Sequence, residues 1–253
     1  GHLFLRDTLA MTQFGYSLSK FIFHIPSPTF AKIFLEFIHP VYYNTCEDIC
    51  KEGYSVKTYK IHLIRHGLEK PEGVIRYVGK TDLPLTSRGR EQIKQLDGRG
   101  IYPYAQRLYS SPLKRCVETL GIIYPDNEIF TVDNLSECDF GEFENKTAEE
   151  LKELPSFSDW LSGGCPPGGE TTDEFVKRSV VAFAKTVEEV MRDKVTDSVF
   201  CLHGGNIMAI LSVCGLPELP FNEWVCAPGR GYTLRITPSV WMRGYKAEVI
   251  GKI

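Results

Sequence analysis

Two histidines in this 253-residue chain sit in the same local setting. His66 follows the largely apolar run Tyr59-Lys60-Ile61-His62-Leu63-Ile64 and then Arg65, and it is followed by Gly67. His203 follows Val199-Phe200-Cys201-Leu202 and is followed by Gly204-Gly205. One histidine after a buried strand is ordinarily a hydrogen-bonded structural residue. Two His-Gly strand ends in one chain, the first preceded by an arginine, point to chemistry on an anion. A neutral imidazole can attack phosphorus while cationic neighbours stabilise the oxygens, and glycine lets the backbone approach closely. Arg115 follows Ser110-Ser111-Pro112 in the first turn of an expected helix. Helix N-termini and arginines both favour phosphate. Arg65, Arg115 and His203 could therefore surround one phosphoryl group next to His66.

Alternating strands and helices are expected to carry these residues. Tyr59 to Ile64, Leu108-Tyr109-Ser110, Ile129 to Val132 and Val199 to Leu202 read as strands, with two more around Tyr232 to Ile236 and Ala247 to Ile250. Thr86 or Ser87 can cap a helix that turns Ile93 and Leu96 inward. Ser111-Pro112 reads as the opening of a second helix, a hydroxyl cap with proline at the first helical position. Thr171 and Glu174 have capping-box spacing, ahead of Val176, Val180, Phe183, Val187 and Val190 at three- and four-residue steps. Ile207, Ile210 and Leu211 mark a further helix. This order predicts an α/β fold, a mainly parallel sheet with helices on both faces. Ligands bind such sheets beyond the carboxyl ends of the strands, where Arg65-His66-Gly67, Ser110-Ser111 and His203-Gly204-Gly205 stand.

The length suits one α/β domain with an appendage. The style of the chain changes near Lys57, which predicts a catalytic domain over 57–253 and an aromatic-rich, helical extension over 1–56. Phe14, Tyr16, Phe21, Phe23, Phe30, Phe34 and Phe37 are too many aromatics for a free tail, and Ala31 to Ile38 could form amphipathic helix. Packing against the catalytic domain or in a homodimer is expected of this extension, ahead of a lid or an interfacial membrane contact. A formal net charge of -3 without a Lys/Arg run argues against nucleic acid. No apolar run is long enough for stable membrane insertion, and the N-terminal region lacks the form of a signal peptide. Eight cysteines in a chain this large suggest reduced thiols and a cytoplasmic location. Cys46, Cys50 and His39 lack an evident fourth metal ligand, so thiols on a buried or helical face are expected there.

Six stretches carry a resemblance: LIRHG (63–67), RYVGKTDLPLTSRG (76–89), YSSPLKRCVETL (109–120), LSECDFGEFENKT (135–147), PPGGET (166–171) and LHGGNI (202–207). In this order and spacing the chain resembles the histidine phosphatase superfamily, phosphoglycerate mutase-like in fold, and looks most like its alpha-ribazole phosphatase branch. The resemblance implies that His66 is the phosphorylated nucleophile. It implies that Arg65, Arg115 and His203 bind phosphate, and that Glu137 is the general acid. Only the family pattern selects Glu137 over Glu142 or Glu144. Gly204, Arg76, Glu69 and Glu72 complete the expected substrate-binding set. Neither metal nor cofactor is expected, since Arg65, Arg115 and His203 supply the positive charge.

The sequence departs from the family where RHG is often followed by a threonine and an asparagine near the phosphate. Here Glu69 and Glu72 take those places. Carboxylates there would repel a dianion, unless they point away with Lys70 nearer the site, bind a substrate hydroxyl or amine, or lie in a solvated loop. The implied reaction is hydrolysis of a small phosphorylated metabolite, with alpha-ribazole phosphate, sugar phosphates and phosphoserine as candidates. A mutase is the nearest alternative, although the interval from Glu137 to His203 is short for the substrate-enclosing insertions of phosphoglycerate mutases. A catalytically weak phospholigand-binding protein is the alternative outside enzymes.

Overall fold

A computed structural model describes residues 57–70 and 76–253. The N-terminal extension, including Cys46, Cys50 and His39, lies outside the described residues, and so does Glu72. The sheet is built from β1 (Tyr59–Arg65), β2 (Arg107–Ser110), β3 (Ile129–Thr131), β4 (Asp197–Leu202), β5 (Gly215–Leu216), β6 (Gly231–Ile236) and β7 (Ala247–Lys252). Its order is β3-β2-β4-β1-β6-β7-β5. β3, β2, β4 and β1 pair in parallel, whereas β6 runs antiparallel to both of its neighbours, β1 and β7.

The register aligns the functional strand ends. Arg65 pairs with Leu202, and Ser110 with Cys201. The ladder continues one step past each strand, because the His66 amide donates to the Leu202 carbonyl (3.0 Å) and the Ser111 amide to the Cys201 carbonyl (3.0 Å). His66, Ser111 and His203 therefore leave one edge of the sheet together.

Alternation along the strands builds a core on each face. Ile61, Leu63, Phe200 and Leu202 pack with the long helix α5 (Thr172–Arg192) and with α6 (Gly204–Cys214). Ile64, Val199 and Cys201 pack on the other face with α1 (Ser87–Asp97) and α2 (Lys114–Ile123). α5 starts at the expected capping box of Thr171 and Glu174, and Val176, Val180, Phe183, Val187 and Val190 are all buried. Emptying a site such as Phe183, fully buried, would cost about 3–5 kcal/mol. Cys201 and Cys214 are buried in these cores as small hydrophobes.

Thr86 caps α1 by accepting from the Gly89 amide, and Ile93 and Leu96 are buried as expected. The start of α2 differs from the sequence reading. The helix begins at Lys114, with Leu113 as its N-cap and no side-chain cap of its own. Asp82 accepts from the Lys114 amide (2.7 Å), while the Ser111 hydroxyl is engaged by His203. Arg115 still falls in the first turn.

Between β3 and α5 the chain makes an excursion through α3 (Ala148–Leu151) and α4 (Pro155–Leu161). Tyr77, Phe143, Leu151, Phe157 and Trp160 form a small core there, with Phe140 packed against it. No helix among the described residues is long and apolar enough to cross a membrane.

Candidate active site

His66 leaves the end of β1 with its side chain buried, and its Nδ1 lies 2.7 Å from the Gly67 carbonyl. A carbonyl can only accept, so Nδ1 carries the hydrogen and Nε2 keeps its lone pair. The Gly67 amide is fixed in turn by the Thr119 hydroxyl (3.0 Å), which donates to the Arg115 carbonyl (2.6 Å). Burial first, then the charges of Arg115 and Arg65, lower the pKa of His66 to about 3 against the opposing pull of Glu69. The ring is therefore neutral at physiological pH.

His203 caps α6 from the end of β4 and is completely buried. Its ring centroid lies 5.0 Å from that of His66. The Arg115 Nε–H donates to its Nδ1 (3.1 Å), so the remaining hydrogen sits on Nε2, 2.8 Å from the Ser111 oxygen. Burial, reinforced by Arg115, His66 and Arg65, holds its pKa well below the usual histidine value. His203 is thus a neutral ring beside a neutral nucleophile, with its single N–H directed at Ser111.

The two guanidiniums flank this pair. Arg115 is buried and also donates to the carbonyls of Thr81 (2.9 Å) and Gly79 (2.7 Å). Of its five N–H groups, two remain for a ligand. Arg65 donates from one terminal nitrogen to the Cys226 carbonyl (2.7 Å), and its buried Nε–H has no partner among the described residues. Its guanidinium packs on Gly204, where an added Cβ would sit 3.4 Å from it. Arg65, His66, Arg115 and His203 thus converge, as expected, at the N-terminal ends of α2 and α6, where helix dipoles add positive potential. An unpaired buried donor, two helix starts and two guanidiniums describe a cradle for a compact anion.

Glu137 reaches the same place from the loop after β3. One carboxylate oxygen accepts from the Cys138 amide (3.0 Å), the other from the Gly205 amide (3.4 Å). Burial raises its pKa against the pull of these amides and of Arg115. A carboxyl held above its usual range keeps its proton to higher pH than an ordinary glutamate, as general-acid work needs. The closeness of Gly205 makes a test. A Cβ there would press on Glu137 Oε1 and on Phe175, while alanine suits the first turn of α6. Gly205→Ala is expected to keep its melting temperature within a few degrees and to lose activity up to about a hundredfold. Parallel melting curves and initial rates would check this, and an unchanged rate would show that Glu137 does not depend on its present placement.

Several supporting residues, some of them inside the recognised motifs, have roles that the sequence did not assign. Arg178 of α5 is ion-paired with Glu170 and donates to the carbonyls of Asn134, Ser136 and Glu137 (3.0, 2.8 and 2.8 Å), clamping the acid loop. Asn206 of α6 donates to the Ser136 carbonyl (3.1 Å). Glu144 accepts from the amides of Gly79, Lys80, Thr81 and Phe140 and from the Thr81 hydroxyl. It therefore fixes the loop whose carbonyls receive Arg115.

Two expected substrate contacts are placed differently. The half-exposed Arg76 directs its guanidinium to the Asn145 carbonyl (2.6 Å) and the Glu150 carboxylate (3.0 Å). Glu69 is not in a solvated loop. Its side chain is 8% exposed, with one oxygen 3.7 Å from His66 Nδ1 and the other 3.7 Å from Lys70 Nζ.

Comparison with known proteins places this constellation. Residues 61–242 match the family model of the histidine phosphatase superfamily, branch 1. The chain belongs to that superfamily. It is 32% identical over 163 residues to the 2,3-bisphosphoglycerate-dependent phosphoglycerate mutase 2 of Gloeobacter violaceus, covering 59% of this chain and 72% of the relative. It is 31% identical over 171 residues to the uncharacterized phosphatase PhoE of Bacillus subtilis, covering 65% and 83%. The alpha-ribazole phosphatase structure from Shigella flexneri superposes with a TM-score of 0.60 over 75% of this chain and 94% of that one. At 21% identity that last likeness speaks for the fold alone. Members of the superfamily among these relatives are phosphatases and mutases, so the histidine phosphatase chain described here is an enzyme of that kind.

Proposed function

We propose that this histidine phosphatase hydrolyses a small phosphorylated metabolite through a phosphohistidine at Nε2 of His66. One observation carries the reading: His66, its hydrogen pinned to the Gly67 carbonyl, stands among Arg65, Arg115 and His203, with Glu137 held against the first turn of α6 at the Gly205 amide. The Nε2 lone pair attacks phosphorus while the bond to the leaving oxygen breaks, and that oxygen takes the proton of Glu137. Arg65 and Arg115 hold the equatorial oxygens, and the His203 N–H joins them when it turns from the Ser111 oxygen to the phosphoryl group. Glu137, now ionised, takes a proton from water as the water oxygen attacks phosphorus. The P–N bond breaks, its electrons return to Nε2, and phosphate leaves.

The test is a panel of phosphorylated metabolites, alpha-ribazole phosphate, sugar phosphates and phosphoserine among them, with free phosphate as the readout. An acid-labile, base-stable phosphoprotein should be trapped on His66. A folded protein that releases no phosphate and forms no phosphohistidine would favour the phospholigand-binding reading. The mutase reading is favoured by likeness to mutases, that of Gloeobacter violaceus among them. Isomerisation of 3-phosphoglycerate faster than its hydrolysis would establish it.

The free-enzyme pH profile follows from the two perturbed groups. Attack needs His66 unprotonated, so kcat/KM rises with pH through a limb at about 3. Leaving-group protonation needs Glu137 protonated, so kcat/KM falls through a second limb above the usual carboxylate range. Rates corrected for substrate ionisation should show both limbs. A profile that keeps climbing to alkaline pH would remove Glu137 from the acid role.

A further inference from the structure

The proposed reaction leaves a buried carboxylate beside the nucleophile, that of Glu69, without a role. Glu69 and Lys70 follow the nucleophile by three and four residues. Glu69 is enclosed nearly as completely as His66, with side chains 8% and 5% exposed. Its Oε2 lies 3.7 Å from His66 Nδ1, the nitrogen that carries the hydrogen. Its Oε1 lies 3.7 Å from Lys70 Nζ, and Lys70 donates to the Arg76 carbonyl (2.7 Å). Burial opposes its charge, but Lys70 and Arg65, joined by His66 whenever that ring is cationic, keep the carboxyl below its usual range. An ionised carboxylate is therefore held behind the nucleophile, on the ring edge opposite Nε2.

We propose that Glu69 is a positioning residue that stabilises the phosphohistidine, a role resting on the proposed reaction. When Nε2 bonds to phosphorus, the ring still has its hydrogen on Nδ1, so a neutral imidazole becomes an N-phosphoimidazolium cation. The cation forms between Arg65 and Arg115, both of which oppose it. Among the described residues, Glu69 is the carboxylate within ion-pair distance of the nitrogen that shares the new charge. In a low-dielectric setting, an opposite charge at this distance acts strongly. At 3.7 Å the carboxylate lies beyond hydrogen-bond range, so its effect is electrostatic, and the Gly67 carbonyl keeps the hydrogen bond. Stabilising the cation speeds its formation. It also slows its decay, because hydrolysis returns the ring to neutrality. Glu69 thus lengthens the life of the phosphoenzyme, during which an acceptor alcohol can compete with water.

Rapid-quench kinetics on the full chain separates this from a packing role. The probe is p-nitrophenyl phosphate, with the phosphoprotein quenched in base. Glu69→Gln keeps the shape and removes the charge. It should slow His66 phosphorylation about tenfold and speed hydrolysis of the isolated phosphoenzyme by a similar factor. Glu69→Asp should fall between wild type and Glu69→Gln in both constants. Unchanged constants in a folded Glu69→Gln, or a fall in both, would overturn the proposal. If the wild-type protein forms no phosphohistidine, the proposed reaction itself fails, an outcome distinct from any result on Glu69.

Discussion

Replacing His66 with asparagine is expected to lower kcat by roughly four orders of magnitude or more while leaving the protein folded. Asparagine fits the buried space, and its amide can donate to the Gly67 carbonyl as Nδ1 does. It has no lone pair able to attack phosphorus. The cradle of Arg65, Arg115 and His203 is untouched, so the variant should still bind inorganic phosphate. Steady-state rates, a phosphate titration and a melting curve form the measurement. Near wild-type turnover would refute covalent catalysis at this residue, whatever the family resemblance.

Glu137→Gln carries the second large effect, and it depends on the leaving group. An alkyl phosphate needs its departing oxygen protonated, so its hydrolysis should fall by roughly 10²–10⁴. The acidic phenol of p-nitrophenyl phosphate leaves without that help, so phosphorylation of His66 by this substrate should stay rapid. Hydrolysis of the phosphohistidine still lacks its base, and the variant should show a burst of one p-nitrophenol per enzyme followed by a slow phase. The single glutamine oxygen can keep the shorter bond from the Cys138 amide (3.0 Å) and gives up the longer one from Gly205 (3.4 Å), so a melting curve should accompany the rates. Equal losses on both substrates, with no burst, would assign Glu137 to binding rather than to proton transfer.

The parts of this site that follow from periodic elements were legible in the sequence. Buried runs ending in Arg65-His66-Gly67 and His203-Gly204 placed two histidines on one sheet edge, and Thr171 with Glu174 marked the start of the long helix. Glu137 was legible only through resemblance, because a loop carboxylate has no period to distinguish it from Glu142 or Glu144. Arg178, Glu170 and Glu144 act across separations of 31 to 65 residues, which no local pattern encodes. Ser111 was misread for a related reason: Ser-Pro is a sound local signal for a helix start, but a distant imidazole claims that hydroxyl. Glu69 showed the same limit, since its burial depends on how the segment folds back on His66.

The one reversed strand has a consequence for how the site is enclosed. In an all-parallel sheet every segment that enters a strand does so at the edge opposite the ligand. Because β6 travels the other way, the chain just before it arrives at the edge where His66 stands. There the Cys226 carbonyl seats Arg65, and the Gly229 amide donates to the Arg65 carbonyl (2.9 Å). The stretch just before β6 is thereby part of the wall around the cradle, although it lies beyond the last of the recognisable motifs (202–207). Variation in that stretch can retune Arg65 without touching a single signature residue.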